Sequence, residues 1–367
     1  LVFALAILVR PCAANVVVRP HFGHPFIFAE RIVFTSVDGT HLISIDKTGR
    51  LKWELVFPAR VAPQRLDDSS LVVQVGRKVF RIDAQSGRKS DLLTVPRHSS
   101  FGVDSELGYS YFADTRDTHR VVRILDFQRN VPTWGISNLE SIEHVTSTTI
   151  VGLTAVRENH SDSSYSIAST TLSGYDRTNG EIRWSMQLPG SPAEILRSVA
   201  IGDHLAVISG LFVSSLLILN PETGEVLSSR VGRYIDLSTS GERLAILEGT
   251  DEPGDANLFF CVPPACIPSE PLRLSAKEIL RFRLYRDYVI TAGIYDTACF
   301  SRDTGRRLWQ KGQLEWSVPF DGVMVITDFD AKRRSSRIVS VNLQTGTEKV
   351  LFTRPVTRND ERAFLPW

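Results

Sequence analysis

One pattern recurs along the 367 residues and limits the fold more than any composition figure. A short apolar run ends in Asp or Asn, a tight turn closes on Gly, and a second strand-like run follows. The clear copies are LISIDKTGRLKW (42–53), VFRIDAQSGRK (79–89), LSGYDRTNGEIRW (172–184), LLILNPETGEVL (216–227), ACFSRDTGRRLW (298–309) and IVSVNLQTGTEKV (339–350). Asp46, Asp83, Asp176, Asn220 and Asn342 have the side chain that accepts backbone amides two residues on and so holds a turn. Gly49, Gly87, Gly180, Gly224, Gly305 and Gly346 supply the positive φ that closes it.

Two gaps between turn glycines, of 93 and 81 residues, are about twice the others, so each should hide a degenerate copy. The first is read at VVRILDFQRNVPTW (121–134), with Asn130 in the glycine place. The second, weaker, is NLFFCVPPACI (257–267), with Ala265 near it. Including both, the period is about 42 residues. Trp53, Trp134, Trp184 and Trp309 each stand four residues beyond the turn position. Four of the six tryptophans therefore occupy one structural slot, from which an indole can pack over a neighbouring sheet.

Each unit has room for about four strands. Within 193–230, AEILRSVAI, HLAVISG, LFVSSLLIL and EVLSSRV are separated by short turns, and helical periodicity is nearly absent. Four-stranded units repeated every 40 to 50 residues predict an all-β, eight-bladed β-propeller with four antiparallel strands per blade, seven blades being the alternative. Ring closure removes the edges that an open array keeps exposed. The expected division is 1–14 as a signal peptide, 15–356 as a single propeller and 357–367 as a C-terminal tail.

The division rests on Leu1 to Val9, an unbroken apolar run too short to span a membrane, followed by the small residues of Cys12-Ala13-Ala14. It reads as an export signal ending at Ala14; the other reading is a buried N-terminal strand. Cys12 is placed for lipidation, but Arg10 and Pro11 stand where that processing wants small residues. Export gives an extracytoplasmic location, periplasmic or secreted.

The hydrophobic–Asp–x–x–Thr–Gly–x–x–x–Trp pattern resembles the pyrroloquinoline-quinone-type propeller repeat, over about 35–356. In length, unit number and export, the chain is similar to the scaffold propellers of the outer-membrane β-barrel assembly machinery. That resemblance implies a non-enzymatic, protein-binding role in envelope assembly. The quinoprotein dehydrogenases of the same family hold their quinone with adjacent cysteines, and none occur here. Their catalytic signature does not carry over.

With Asp-x-x-Thr-Gly joining strands C and D of a blade, extra residues gather at the opposite end, in the B–C positions 113–119, 157–166, 248–257 and 327–337. Asp251, Glu252 and Asp255 make one of these acidic, and Lys332, Arg333, Arg334 and Arg337 make another basic. A bipolar face of this kind would orient a protein partner. Asp251, Asp255 and Asn257 also alternate like calcium ligands, without an EF-hand pattern. Asn159-His160-Ser161 is a glycosylation sequon, relevant only to a eukaryotic secretory protein. The spacing of Cys261 and Cys266 permits a small disulfide loop, and Cys299 is expected buried on a C strand.

The charge balance, 42 basic against 41 acidic side chains, gives no global attraction for nucleic acid or an anionic membrane. No nucleophile elbow, phosphate loop or metal-binding histidine pair is present, so no catalytic residue, cofactor or metal ligand is assigned. The expected protein is an extracytoplasmic scaffold, a monomeric ring whose partner is another protein and whose membrane association runs through that partner. A quinone- or sugar-dependent oxidoreductase using the central channel, or a ligand-sensing ectodomain, are the alternatives.

Overall fold

Described here, from a computed structural model, are residues 23–97, 99–104, 109–114, 122–126, 131–136, 139–159, 165–188, 195–210, 214–252, 255–276, 279–293, 296–312 and 319–357. The signal-peptide reading of 1–14, Asn130 and most of the tail lie outside them. The described residues form eight antiparallel sheets in chain order, over 26–56, 64–94, 99–136, 139–187, 195–232, 234–275, 279–312 and 323–355. Seven sheets have four strands, here lettered A to D, and the eighth has three among the described residues, matching B to D of the others.

The strand burial follows from the sequence. B and C strands are continuous apolar runs, such as Ile32–Thr35 in blade 1 and His204–Ser209 in blade 5, and are buried on both faces. D strands alternate, as Leu51–Val56 and Ile182–Gln187 do, because only one side meets a neighbouring blade.

Eight separate apolar clusters hold the ring, one at each junction between successive blades. The last joins blade 8 to blade 1: Val325, Ile338 and Val356 pack with Ile32, Phe34, Ile43 and Ile45. The Phe34 and Phe352 rings lie 5.7 Å apart across the same seam. Eight sheets and eight junctions make the protein an eight-bladed β-propeller. The seam is closed by side-chain packing, with all four strands of blade 1 coming from 26–56.

The recurring turn joins C to D in blades 1, 2, 4, 5, 7 and 8. In blade 1, Asp46 Oδ1 accepts the amides of Thr48 (2.9 Å) and Arg50 (3.0 Å). Asp83, Asp176, Asn220 and Asn342 do the same work in blades 2, 4, 5 and 8. The six turn glycines have φ between +66° and +93°. A β-bulge follows in each C–D pair that carries a Trp, and the Trp is the first residue paired beyond it.

Each of those four indoles reaches into the next blade. Trp53, Trp134, Trp184 and Trp309 donate Nε1–H to the carbonyls of Ala84, Arg177, Pro221 and Leu343, at 3.1, 2.9, 3.0 and 2.8 Å. Each acceptor is the residue immediately after the turn's Asp or Asn. The Trp slot and the Asx slot are two halves of one inter-blade joint.

Blade 6 departs from this plan and corrects one expectation. Its C–D connection runs from 262 to 271, and the left-handed residue is Cys266 (φ +47°), not Ala265. Cys261 and Cys266 are joined as a disulfide with Cα atoms 4.7 Å apart, buried in the cluster between blades 5 and 6. A covalent clasp replaces the Asx–Gly turn. Blade 5 has no Trp to offer, and Arg230 Nη1 donates to the Cys266 carbonyl instead, at 3.4 Å.

Candidate functional site

The two ends of the ring differ in build. At the end carrying the A–B and C–D turns, the C–D turns of blades 1, 5 and 7 lock onto the A–B turns of the blades before them. Lys47 pairs with Asp321 across the 8–1 seam at 2.7 Å, and Arg302 donates to Ser240 Oγ at 2.6 Å between blades 7 and 6. The Glu222 carboxylate of blade 5 accepts the hydroxyls of Thr146, Thr148 and Thr149 and pairs with Arg183, all of blade 4. Burial acts against its charge, but those hydroxyls and Arg183 outweigh it and hold Glu222 below the ordinary carboxylate range.

The opposite end carries the B–C connections and is elaborated. Two of the expected loops prove to be longer hairpins. In blade 4, strands Thr149–Asn159 and Tyr165–Asp176 stay paired from Thr149↔Asp176 out to Asn159↔Tyr165. Their neighbours A and D pair only as far as Thr154 and Thr171. Residues 155–159 and 165–170 therefore form a two-stranded ribbon beyond the four-stranded sheet. In blade 8, Val323–Asp330 and Ser335–Asn342 leave only 331–334 as a turn. Residues 157–159 and 165–166 are thus strand, with 160–164 outside the described residues, and 327–337 is strand except for 331–334, because the alternating backbone pairing continues past the end of the blade. Blades 4 and 8 face each other across an eight-blade ring. The 115–121 part of the remaining elaboration lies outside the described residues.

Ion pairing changes the charge picture drawn from sequence. Asp251 pairs with Arg233 at 2.6 Å, Asp255 with Arg273 at 2.5 Å, and Glu252 with the same Arg273. Arg273 holds the Asp255 carboxyl below its usual range. The carboxylates that alternate like calcium ligands are occupied by guanidinium groups. Arg337 is taken up by Asp328 and Asp330 of its own hairpin. Lys332, Arg333 and Arg334 are exposed at the turn. The acids of the 251–255 loop are thus paired internally, whereas in the basic hairpin it is Arg337 that is matched, by Asp328 and Asp330. The partnering arginines sit 18 and 21 residues away, beyond what a local charge tally samples.

The inner strands of blades 4 to 7 carry a polar belt that sequence reading did not single out. Ser141 and Ser198 both donate to Glu143, linking blades 4 and 5. Arg197 of blade 5 lies 3.3 Å from Asp236 of blade 6, which also accepts the amides of Leu237 and of Phe282 in blade 7, each at 2.9 Å. Burial pushes the Asp236 carboxyl up in spite of these donors. A bulge recurs at one place in all four inner strands and marks the belt. These groups satisfy one another between blades, so their evident work is to join inner strands.

No helix among the described residues is long and apolar enough to cross a membrane. Cys299 is buried in strand C of blade 7, and burial pushes its thiol up to about 12.

No family model and no curated protein match the chain. Solved structures do match its fold. A computationally designed protein, Ika8, is 13% identical and superposes with a TM-score of 0.56 over 90% of this chain and 96% of its own. A eukaryotic initiation factor is 10% identical, with a TM-score of 0.55 over 92% and 91%. Sqt1 of Saccharomyces cerevisiae is 12% identical, with a TM-score of 0.53 over 92% and 96%. At such identities the likeness concerns the fold alone, and the fold is a propeller compatible with a protein-binding scaffold.

Proposed function

We propose that this protein is a non-enzymatic, extracytoplasmic scaffold that binds another protein, in the service of envelope or outer-membrane protein assembly. The observation that carries the reading is the asymmetry of the ring: one end is locked turn against turn, the other sends hairpins out from blades 4 and 8 on a rigid base. The Cys261–Cys266 disulfide favours an oxidising compartment, as does the export signal read in 1–14. In this reading 15–356 is the mature propeller, acting as a monomeric ring, and 357–367 is a tail. Likeness to the pyrroloquinoline-quinone-type repeat and to the assembly scaffolds supports the role. The inner-strand acids argue against an oxidoreductase site, since Glu143 and Asp236 are already engaged by neighbouring blades.

The test is site-specific photo-crosslinking of the full chain in its native envelope. Probes replace Asn159 and Lys332 at the elaborated end and Arg243 at the locked end. One shared protein adduct is expected at the first two positions and none at the third. Absence of an adduct, or equal adducts at both ends, removes the scaffold reading.

A further inference from the structure

Once their ion pairs are drawn, the charged elements of the elaborated end are unequal. In blade 6, Asp251 is matched by Arg233, and Glu252 and Asp255 share Arg273. In blade 8, Arg337 is matched by Asp328 and Asp330, while Lys332 and Arg333 are exposed and form no ion pair among the described residues. Their turn is fixed rather than loose: Asp330 Oδ1 accepts both of their amides at 3.1 Å, and Arg334 closes the turn at φ +47°.

The neighbouring blade adds to this surface. Arg60 lies on the segment leaving blade 1 at the same end. It too is exposed and without an ion pair among the described residues. Its stem lies over Gly39, where a Cβ would stand 2.5 Å from Arg60 Cγ. Val56, 68% exposed, ends strand D of blade 1 opposite His41. The two blades are tied there by Arg354, which reaches Glu54 at 2.9 Å.

We propose that the sector formed by blades 8 and 1 docks an acidic segment of a protein partner, with Lys332, Arg333 and Arg60 as its cations and Val56 as an apolar contact. The proposal rests on the scaffold reading and names the partner's chemistry. Asp330 already fixes the backbone of Lys332 and Arg333, so only side-chain freedom is lost on meeting carboxylates, and the two arginines can do so in bidentate fashion. Nucleic acid is the poorer fit, since the exposed large apolar residues among those described are all aliphatic and offer no ring for base stacking. An anionic membrane is also poorer: polybasic lipid binding takes about four to eight cations, and here Asp328, Asp330 and Glu54 stand among three.

The test uses the purified full chain and a labelled Asp/Glu-rich peptide, at low and high salt, beside phosphatidylglycerol-containing vesicles and a single-stranded oligonucleotide. Saturable, salt-sensitive peptide binding is expected. It should weaken about tenfold or more in Lys332→Glu/Arg333→Glu, weaken further with Arg60→Glu, and stay within about twofold in Arg243→Glu at the other end. All four residues are exposed, and unchanged thermal melting shows that the variants fold. Tighter binding of vesicles or oligonucleotide than of peptide overturns the proposal, as does peptide binding indifferent to the reversals. If the photo-crosslinked partner is retained by the charge-reversed chain, the docking assignment falls while the scaffold reading stands. If no partner exists at either end, the scaffold reading itself falls.

Discussion

Trp309 of blade 7 donates its Nε1 hydrogen to the carbonyl of Leu343 in blade 8 at 2.8 Å, and the same indole closes over Gly346. The ring is 9% exposed, the most buried of the four joint tryptophans, so the joint combines a satisfied buried donor with a large packed surface. Trp309→Ala should cost about 3–5 kcal/mol and Trp309→Phe about 1–2, the latter from the stranded carbonyl and the lost ring area. Gly346→Ala should cost about 2–4 kcal/mol, because φ is +70° and the new Cβ would stand 2.8 Å from Trp309 Cγ. Urea denaturation measures all three. A Gly346→Ala variant as stable as the parent would mean that the joint does not clamp this turn.

The joint also marks how far the sequence could be read. Asp46, Gly49 and Trp53 recur in phase because turn and indole are local consequences of residue type. The spacing of such sites gave the blade count, and the structure bears out the propeller. What stayed hidden depends on pairing across distance. Arg230 standing in for a Trp and the Glu143 and Asp236 belt join residues of different blades. At the candidate face, charge was legible residue by residue, but its cancellation by Arg233, Arg273 and the Asp328–Asp330 pair was not.

The turn aspartates make stability depend on acid pH. Hydrogen bonds from Thr48, Ser86 and Thr178 hydroxyls hold Asp46, Asp83 and Asp176 below the ordinary carboxylate range. Their folded-state pKa values lie below the unfolded value of about 3.9, so their contribution is complete above it and is lost as pH falls through the folded values. Urea midpoints should be level from neutral pH to about 5 and fall steeply below about 4. Asn serves the same turns at Asn220 and Asn342, so the triple Asp→Asn variant should fold at neutral pH and show a flatter acid limb. Parallel acid limbs for the two proteins would place the titrating groups elsewhere.

The blade 6 clasp closes a loop of only a few residues, with Cys261 and Cys266 five apart in sequence. The chain-entropy argument then gives about 2 kcal/mol of stabilisation, through the unfolded state. Reductant should lower the urea midpoint of the parent towards that of Cys261→Ala/Cys266→Ala and leave the double variant unmoved. Since the sulfurs sit in the cluster between blades 5 and 6, reduction should proceed slowly in the native protein and quickly in urea. Identical midpoints with and without reductant would assign the stability of this connection to packing alone.

Cys299 tests the packing at another junction, that of blades 7 and 8. Its sulfur lies in the cluster of blades 7 and 8, with Trp309, Met324 and Val339. Burial raises the thiol to about 12, so almost no thiolate exists at neutral pH, and access is blocked as well. Iodoacetamide should leave Cys299 unmodified in the native protein and alkylate it fully in denaturant, as read by peptide mass spectrometry. Trp309→Ala removes the ring that covers this cluster, so it should raise the native alkylation rate of Cys299 about in proportion to the population of opened molecules. Rapid alkylation of the unaltered native chain would show that the blade 7–8 junction opens far more readily than its burial implies.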